Sequence, residues 1–506
     1  IWGDDDMKKK NILLFASLLA PLFNGCSLID MLSSYSTKAS VKNLFNNLGL
    51  KVLTPEHTQK ILVIPVDFED YPSTHENVPS LQTIYNGFFG ETKDTGWESV
   101  SSYYYKSSYG ALTLKGTVTD WFRCSKKASE LQYVTSYKGS PISDPTWYVL
   151  REAVDWVKDN DDSNGINLKD YDTDGDGYID AVQLVYSCPP KYMASGDQNL
   201  FWAFTYWDTG TRGIYNNQKG CAYVWASSQF FNIGNYRDEN GNLLPDSHTF
   251  IHETGHLLGL DDYYSYDNSY GPLGKCDMMD ENVGDHNAYS KYLLGWTKPT
   301  YVNEAGTYVL RPFEETGDTL LFANSWNGTA FDEYILMSYY TPTGLNKKDS
   351  EVKYNTSAKM FDEKGVLIYH VNSKLMKYKF NYKSGTMSDR VEKGFVDNIY
   401  YKVEGDYVTF TDFAFSNSPK TNDRDENLHL ISLYEAGGFM TFNLKDLDNE
   451  YLPATNLTLF KEGSTFPTLL GPYSTISYDD SSKFNFKVTF QENDNGTMTV
   501  LVANKN

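Results

Sequence analysis

Residues 252–262 read His252-Glu253-Thr254-Gly255-His256-Leu257-Leu258-Gly259-Leu260-Asp261-Asp262, and the spacing of the polar groups in this stretch sets the reading of the whole chain. On a helix, positions four apart share a face, so His252 and His256 can present neutral imidazoles to one metal ion. Glu253 sits one step round the same helix, beside the metal rather than on it. There a carboxylate can take a proton from a water that the metal has acidified. Gly259 is placed to end the helix in the left-handed conformation that glycine adopts at little cost. A chain turned back at that point brings up Asp262 as a third ligand. Three protein ligands with a fourth position left for water make the catalytic zinc arrangement, not the closed structural one. Asp246 or Ser247 can cap the helix, and Phe250, Ile251, Leu257 and Leu258 give it an apolar face. His248 is in phase one turn earlier. It is read as a surface histidine or a support to the site, because Asp262 already completes the ligand set.

Downstream, Lys275-Cys276-Asp277-Met278-Met279-Asp280 and the stretch Gly284-Asp285-His286-Asn287-Ala288 through Leu294-Gly295-Trp296 follow in a recognisable order. With Ser102-Tyr103-Tyr104-Tyr105 upstream, these motifs resemble the metzincin-type zinc peptidases, and specifically the immune inhibitor A family of secreted bacterial metallopeptidases. The resemblance runs over roughly residues 60–300 and fades toward 440. It implies a metzincin-like α/β (α+β) catalytic domain, a twisted mixed sheet with a zinc helix, and Met278 or Met279 as the apolar floor beneath the metal. The chain departs from the family at Asp261, where proline is frequent. It also carries no tyrosine two residues after either methionine, so the tyrosine ligand of some metzincins has no counterpart.

A second signal is Asp172-Thr173-Asp174-Gly175-Asp176-Gly177-Tyr178-Ile179-Asp180. Carboxylates at loop positions 1, 3, 5 and 9, with glycine at 6, match the oxygen spacing of an EF-hand-like calcium loop. Position 12 is Gln183, and Ala181–Tyr186 reads as a strand rather than an exiting helix. The expectation is a structural calcium ion held by Asp172, Asp174, Asp176 and Asp180 at a strand entry.

A formal charge of −22 over 506 residues argues against nucleic acid or anionic lipid as a partner. The N-terminal residues read as targeting signal. Lys8-Lys9-Lys10, an apolar run from Ile12 to Phe23 and then Asn24-Gly25-Cys26 give a basic region, a hydrophobic region and a lipoprotein-type cleavage site, with Cys26 as the lipidated residue. Cleavage with release is the alternative, and the apolar run is too short to span a bilayer. Segment 1–26 is thus set aside, and 27–56 is read as a polar tether carrying one helix. Cys124, Cys188, Cys221 and Cys276 remain. Outside the cell they form either two disulfides, Cys188–Cys221 being the first to test, or four buried thiols.

The catalytic domain is expected over 57–300. Its helices are Leu81–Phe89, Glu98–Ser107 and Thr146–Lys158, the last started by Asp144-Pro145. Its strands are the Ile61–Asp67 run, Leu112–Val118, Ala181–Tyr186 and Leu200–Trp207. Ala222–Ser227 is read as either the cleft-edge strand or an ordinary hairpin strand. Beyond Trp296 short strands at Thr307–Leu310, Thr319–Phe322, Glu333–Tyr340, Gly365–Val371, Phe484–Gln491 and Thr497–Val502 predict a β-sandwich-like region, divided into 301–450 and a terminal module at 451–506. His370 and His429 are read there as structural.

The sequence therefore predicts a monomeric zinc endopeptidase, secreted or lipid-anchored at the bacterial surface, that cleaves proteins or peptides. His286 or Tyr289 is named as an oxyanion donor from its place after the methionines. Two other classes stay open. One is a surface binding protein or adhesin that kept the fold and lost turnover. The other is a metallohydrolase acting on glycans or other amides.

Overall fold

The run Ile61-Leu62-Val63-Ile64 is mostly β-branched and apolar on both faces, the signature of a strand covered above and below. The computed structural model buries it at the centre of a mixed sheet. The structure describes residues 35–47, 50–160, 165–193, 199–209, 219–266, 270–381, 386–388, 394–418 and 429–505. The targeting segment with Cys26 lies outside the described residues.

The N-terminal half is built from β1 (Tyr35–Lys38), α1 (Val41–Asn47), β2 (His57–Asp67), α2 (Leu81–Phe89), α3 (Val100–Ser107), β3 (Leu112–Val118), β4 (Phe122–Arg123), α4 (Thr146–Asp159), β5 (Val182–Tyr186), β6 (Phe204–Trp207), β7 (Ala222–Ser227), α5 (His248–Leu257) and α6 (Ala288–Leu293). The sheet runs β3-β2-β5-β7-β6, with β4 extending alongside β2. β2, β3, β5 and β7 are parallel, and β6 closes the edge antiparallel to β7. Among the described residues the edge strand is therefore Phe204–Trp207. Ala222–Ser227 is an interior strand with all six residues buried, which its largely apolar composition fits better than an edge position. At the start of α4, Asp144 accepts from the Thr146 amide at 2.8 Å.

Segment 27–56 is no loose tether where it is described. β1 pairs antiparallel with Asn398–Glu404 of the C-terminal half. Leu50 and Leu53 enter the main core, and the Leu53 amide donates to the Leu257 carbonyl at 2.7 Å. Apolar burial outweighs the polar flanks that made the segment read as a linker.

Thr300–Tyr301, Thr319–Phe322, Glu333–Tyr340, Gly365–Asn372 and Ile431–Tyr434 form a five-stranded sheet. Its two faces alternate residue by residue. Leu336, Leu367 and Tyr369 join the catalytic core, whereas Ile335, Met337, Val366 and Ile368 pack against a four-stranded sheet through Val488, Val500 and Phe466. That second sheet pairs Gly306–Leu310 with Met498–Asn504, so the division expected near residue 450 is crossed by hydrogen-bonded strands. A further sheet, built on Leu375–Asn381 and Tyr407–Phe413, had no counterpart in the sequence reading.

None of Cys124, Cys188, Cys221 and Cys276 is disulfide-bonded, and all four are buried. The first pairing to test thus gives way to the alternative of buried thiols.

Candidate metal centre

Helix α5 is held before it presents anything. It lies against β6 and β7, and the Tyr104 hydroxyl of α3 donates to the Ile251 carbonyl at 2.7 Å. Gln183 of β5 donates to the Thr254 hydroxyl at 3.2 Å. At the N-terminus it is Asp246, not Ser247, that accepts from the first helical amide, at 3.1 Å. The Ser247 hydroxyl donates instead to the Gly87 carbonyl at 2.8 Å. At the other end Gly259 takes φ +90°, and the Leu260 amide returns to the Gly255 carbonyl at 3.0 Å, a left-handed stop that reverses the chain.

That reversal delivers Asp262 to the histidines. Oδ1 of Asp262 lies 3.1 Å from Nε2 of His252 and 3.3 Å from Nε2 of His256. One ligand atom from each of the three lies within 4.8 Å of the others. Oδ1 is buried and takes no hydrogen bond of good geometry, and the three atoms converge on a common point. An orphaned carboxylate oxygen facing two imidazole nitrogens fits a divalent cation. The tautomers suit the same role: Nδ1 of His252 meets the Met278 carbonyl at 2.8 Å and Nδ1 of His256 the Leu260 carbonyl at 2.9 Å. Each Nδ1–H donates to a carbonyl, and each Nε2 lone pair is left for a metal. Free of metal, the cluster is an ion pair. Burial opposes both charges, but Asp262 pushes His256 up to about 10. In turn His256 and His252 hold the Asp262 carboxyl well below the usual range.

Glu253 stands beside these groups, buried, with its carboxyl shifted upward by burial. The Thr205 hydroxyl on β6 lies 2.7 Å from the Glu253 carbonyl and 3.1 Å from Oε2. Met278 and Met279 are both fully buried and divide the work. Met278 lends its carbonyl to His252, while Met279 presses its sulfur against the helix at Gly255. A Cβ there would stand 2.5 Å from that sulfur.

Other sequence expectations change place. His248 is neither a ligand nor on the surface. It is buried between the rings of Trp97 and Tyr354, at 4.2 and 3.9 Å, and bridges Asp246 and Asp349 at 2.7 and 3.2 Å. His286 is enclosed by Tyr103, Tyr104 and Trp296, and burial pushes its pKa well below the ordinary value. Tyr289 is likewise in the core. Packing fits both better than the oxyanion role. His370 contacts Glu333 at 3.0 Å and His429 stacks on Tyr270. In the acidic loop Asp172, Asp174 and Asp176 cluster within 4.8 Å, but Asp180 is not in the group. It is buried below, accepting from the Thr173 amide at 2.8 Å, and burial pushes its carboxyl pKa up to about 6. Lys42 and Lys51 from the N-terminal segment pair with Asp174 and Asp176.

Thr205 and the hydroxyl of Tyr266, which donates to Oδ2 of Asp262, were not found from sequence. The run Tyr263-Tyr264-Ser265-Tyr266 directly after the ligand was a usable signal for the second. For Thr205 there was none, since its partner is 48 residues away.

A helix carrying two imidazoles and a carboxylate, with a returning aspartate in reach, is a donor set that fits a metal-dependent hydrolase. Residues 51–280 match the family model described as immune inhibitor A peptidase M6, catalytic domain. The match supports an immune inhibitor A-type metallopeptidase over that segment, a family that implies zinc and protein substrates. No curated protein matches the chain.

Proposed function

We propose that this chain is a zinc endopeptidase in which His252, His256 and Asp262 hold the metal and Glu253 is the general base. The observation that carries the reading is the convergence of the three ligand atoms with an unpartnered Asp262 oxygen among them. Zinc bound there supplies Lewis acidity to the attacking water and to the scissile carbonyl. Glu253 accepts the proton of the attacking water and passes it to the leaving amine. An upward-shifted carboxyl suits both halves of that transfer. The Thr205 hydroxyl keeps the carboxylate facing the ligands. Substrate would be an extended polypeptide, bound with its scissile carbonyl beside Glu253 and the three ligands.

The further reading is of an enzyme exported and anchored at the bacterial surface through Cys26, and of a calcium ion at Asp172, Asp174 and Asp176. The calcium reading is tested by melting temperature across calcium concentrations in metal-stripped protein reloaded with zinc alone. A rise with calcium that is absent from Asp174→Ala supports it, and an unchanged midpoint removes it.

The catalytic assignment is tested with Glu253→Gln. The variant should keep zinc and lose casein cleavage by a factor of about 100 or more, since the amide cannot accept the proton. Turnover like the parent's contradicts the role.

A further inference from the structure

Asp262 lies at the end of a short, tightly turned loop, and two observations show how its carboxylate is aimed. The first is a division between its oxygens. Oδ1 faces the two histidines without a hydrogen bond, while Oδ2 receives the Tyr266 hydroxyl. The second is that the loop carrying both residues is tied down from outside the matched segment. Asn417, 1% exposed, donates from Nδ2 to the Tyr263 carbonyl at 2.8 Å. Its Oδ1 accepts from the Ile431 amide at 3.1 Å and the Tyr270 hydroxyl at 3.0 Å. Ser418 accepts from the Tyr266 amide at 3.0 Å. Both donor and acceptor sides of the Asn417 amide are used, so neither Asp nor Leu replaces it without leaving a buried group unpaired.

We infer that Tyr266 and Asn417 are positioning residues for the third metal ligand, and that the C-terminal β region therefore completes the metal centre. This rests on the reading of Asp262 as a ligand. Tyr266 claims one oxygen of Asp262 and leaves the other for the metal. Asn417 and Ser418 hold the loop at the height where that oxygen meets the histidines. Tyr264 also contacts Asp262, so without Tyr266 the carboxylate keeps one of two hydroxyl supports and must be ordered further on binding, which lowers affinity. Supports of this kind are worth about 10–100-fold in metal affinity.

The test uses full-length protein and the metal alone. Zinc affinity is measured by competition with a chromophoric chelator for the parent, Tyr266→Phe, Asn417→Ala and Asp262→Ala, beside the melting temperature of each zinc-free protein. Tyr266→Phe should bind zinc about 10–100-fold more weakly while its zinc-free melting temperature stays at the parent's value. The visible spectrum of its Co2+ form should also change. Asn417→Ala should lose affinity in the same range. If Asn417→Ala does not fold, Tyr266→Phe alone decides. Zinc affinity within twofold of the parent in Tyr266→Phe overturns the inference, as does a lowered melting temperature with affinity unchanged. If Asp262→Ala itself binds zinc like the parent, the ligand reading falls first, and the inference with it.

Discussion

Gly255 sits between the two histidines on the helix, and it has no side chain because Met279 is there. A Cβ at that position would meet the Met279 sulfur at 2.5 Å and the Tyr104 hydroxyl at 3.3 Å. Tyr104 already holds the Ile251 carbonyl and Met279 is fully buried, so neither neighbour retreats freely. Gly255→Ala should lose about 1–3 kcal/mol to overpacking against a gain of about 1 kcal/mol in helix propensity, a net loss measured by denaturant unfolding with zinc saturated. A variant as stable as the parent would show that the methionine does not brace the helix. The same contact explains what could and could not be read from the chain. His252, Glu253, His256, Gly259 and Asp262 were legible because helix periodicity and a glycine stop fix their relative positions locally. Which methionine touches the helix was not, because it depends on how a segment more than twenty residues away packs against it. Thr205 and Asn417 were hidden for the same reason. Each acts on the site from a different strand or loop.

At the level of the element, α5 is anchored at its start by a buried charge. Burial alone would lower the pKa of His248, but Asp349 and Asp246 outweigh it and raise it to about 9. A histidine whose folded pKa lies above its unfolded value near ~6.5 stabilises the fold fully below that value. The contribution is lost as pH rises through about 9. Stability should therefore decline between pH 6.5 and about 9 in the parent, and His248→Gln should flatten that slope while lowering stability at pH 6. A His248 imidazole that titrates below pH 6.5 by NMR would contradict the ion-pair account. Strands show the limit of sequence at this scale. The apolar runs Phe204–Trp207 and Ala222–Ser227 look alike as strands, and only tertiary pairing decides which lies at the edge. Position nine of the acidic loop failed similarly. Spacing offered Asp180 to the cluster, but Gly175 and Gly177 at positive φ turn the chain so that Asp180 faces Thr173.

Across the whole molecule, one apolar core joins the catalytic sheet to a face of the five-stranded sheet. The N-terminal segment then straps the two halves together. β1 pairs with Asn398–Glu404, Val41 of α1 packs against Gly259 at the end of the metal helix, and Trp207 on the edge strand donates to the Lys51 carbonyl at 2.5 Å. Calorimetry should accordingly show a single dominant unfolding transition for the two halves; two transitions separated by tens of degrees would mean the shared core is not cooperative. This integration escaped the sequence reading, which saw a polar linker, a peptidase domain and two β modules in series. Short strands reveal their alternation but not their partners, and Gly306–Leu310 finds its partner nearly two hundred residues on.

The central claim is that His252, His256 and Asp262 bind one catalytic metal, and metal content tests it most directly. Zinc per chain should be measured by plasma mass spectrometry after extensive dialysis, for the parent and for His256→Ala of matching circular dichroism. The account predicts about one zinc in the parent, since three converging ligands make a tight site, and essentially none in the variant. A parent that holds no zinc, or a variant that holds as much as the parent, would contradict it.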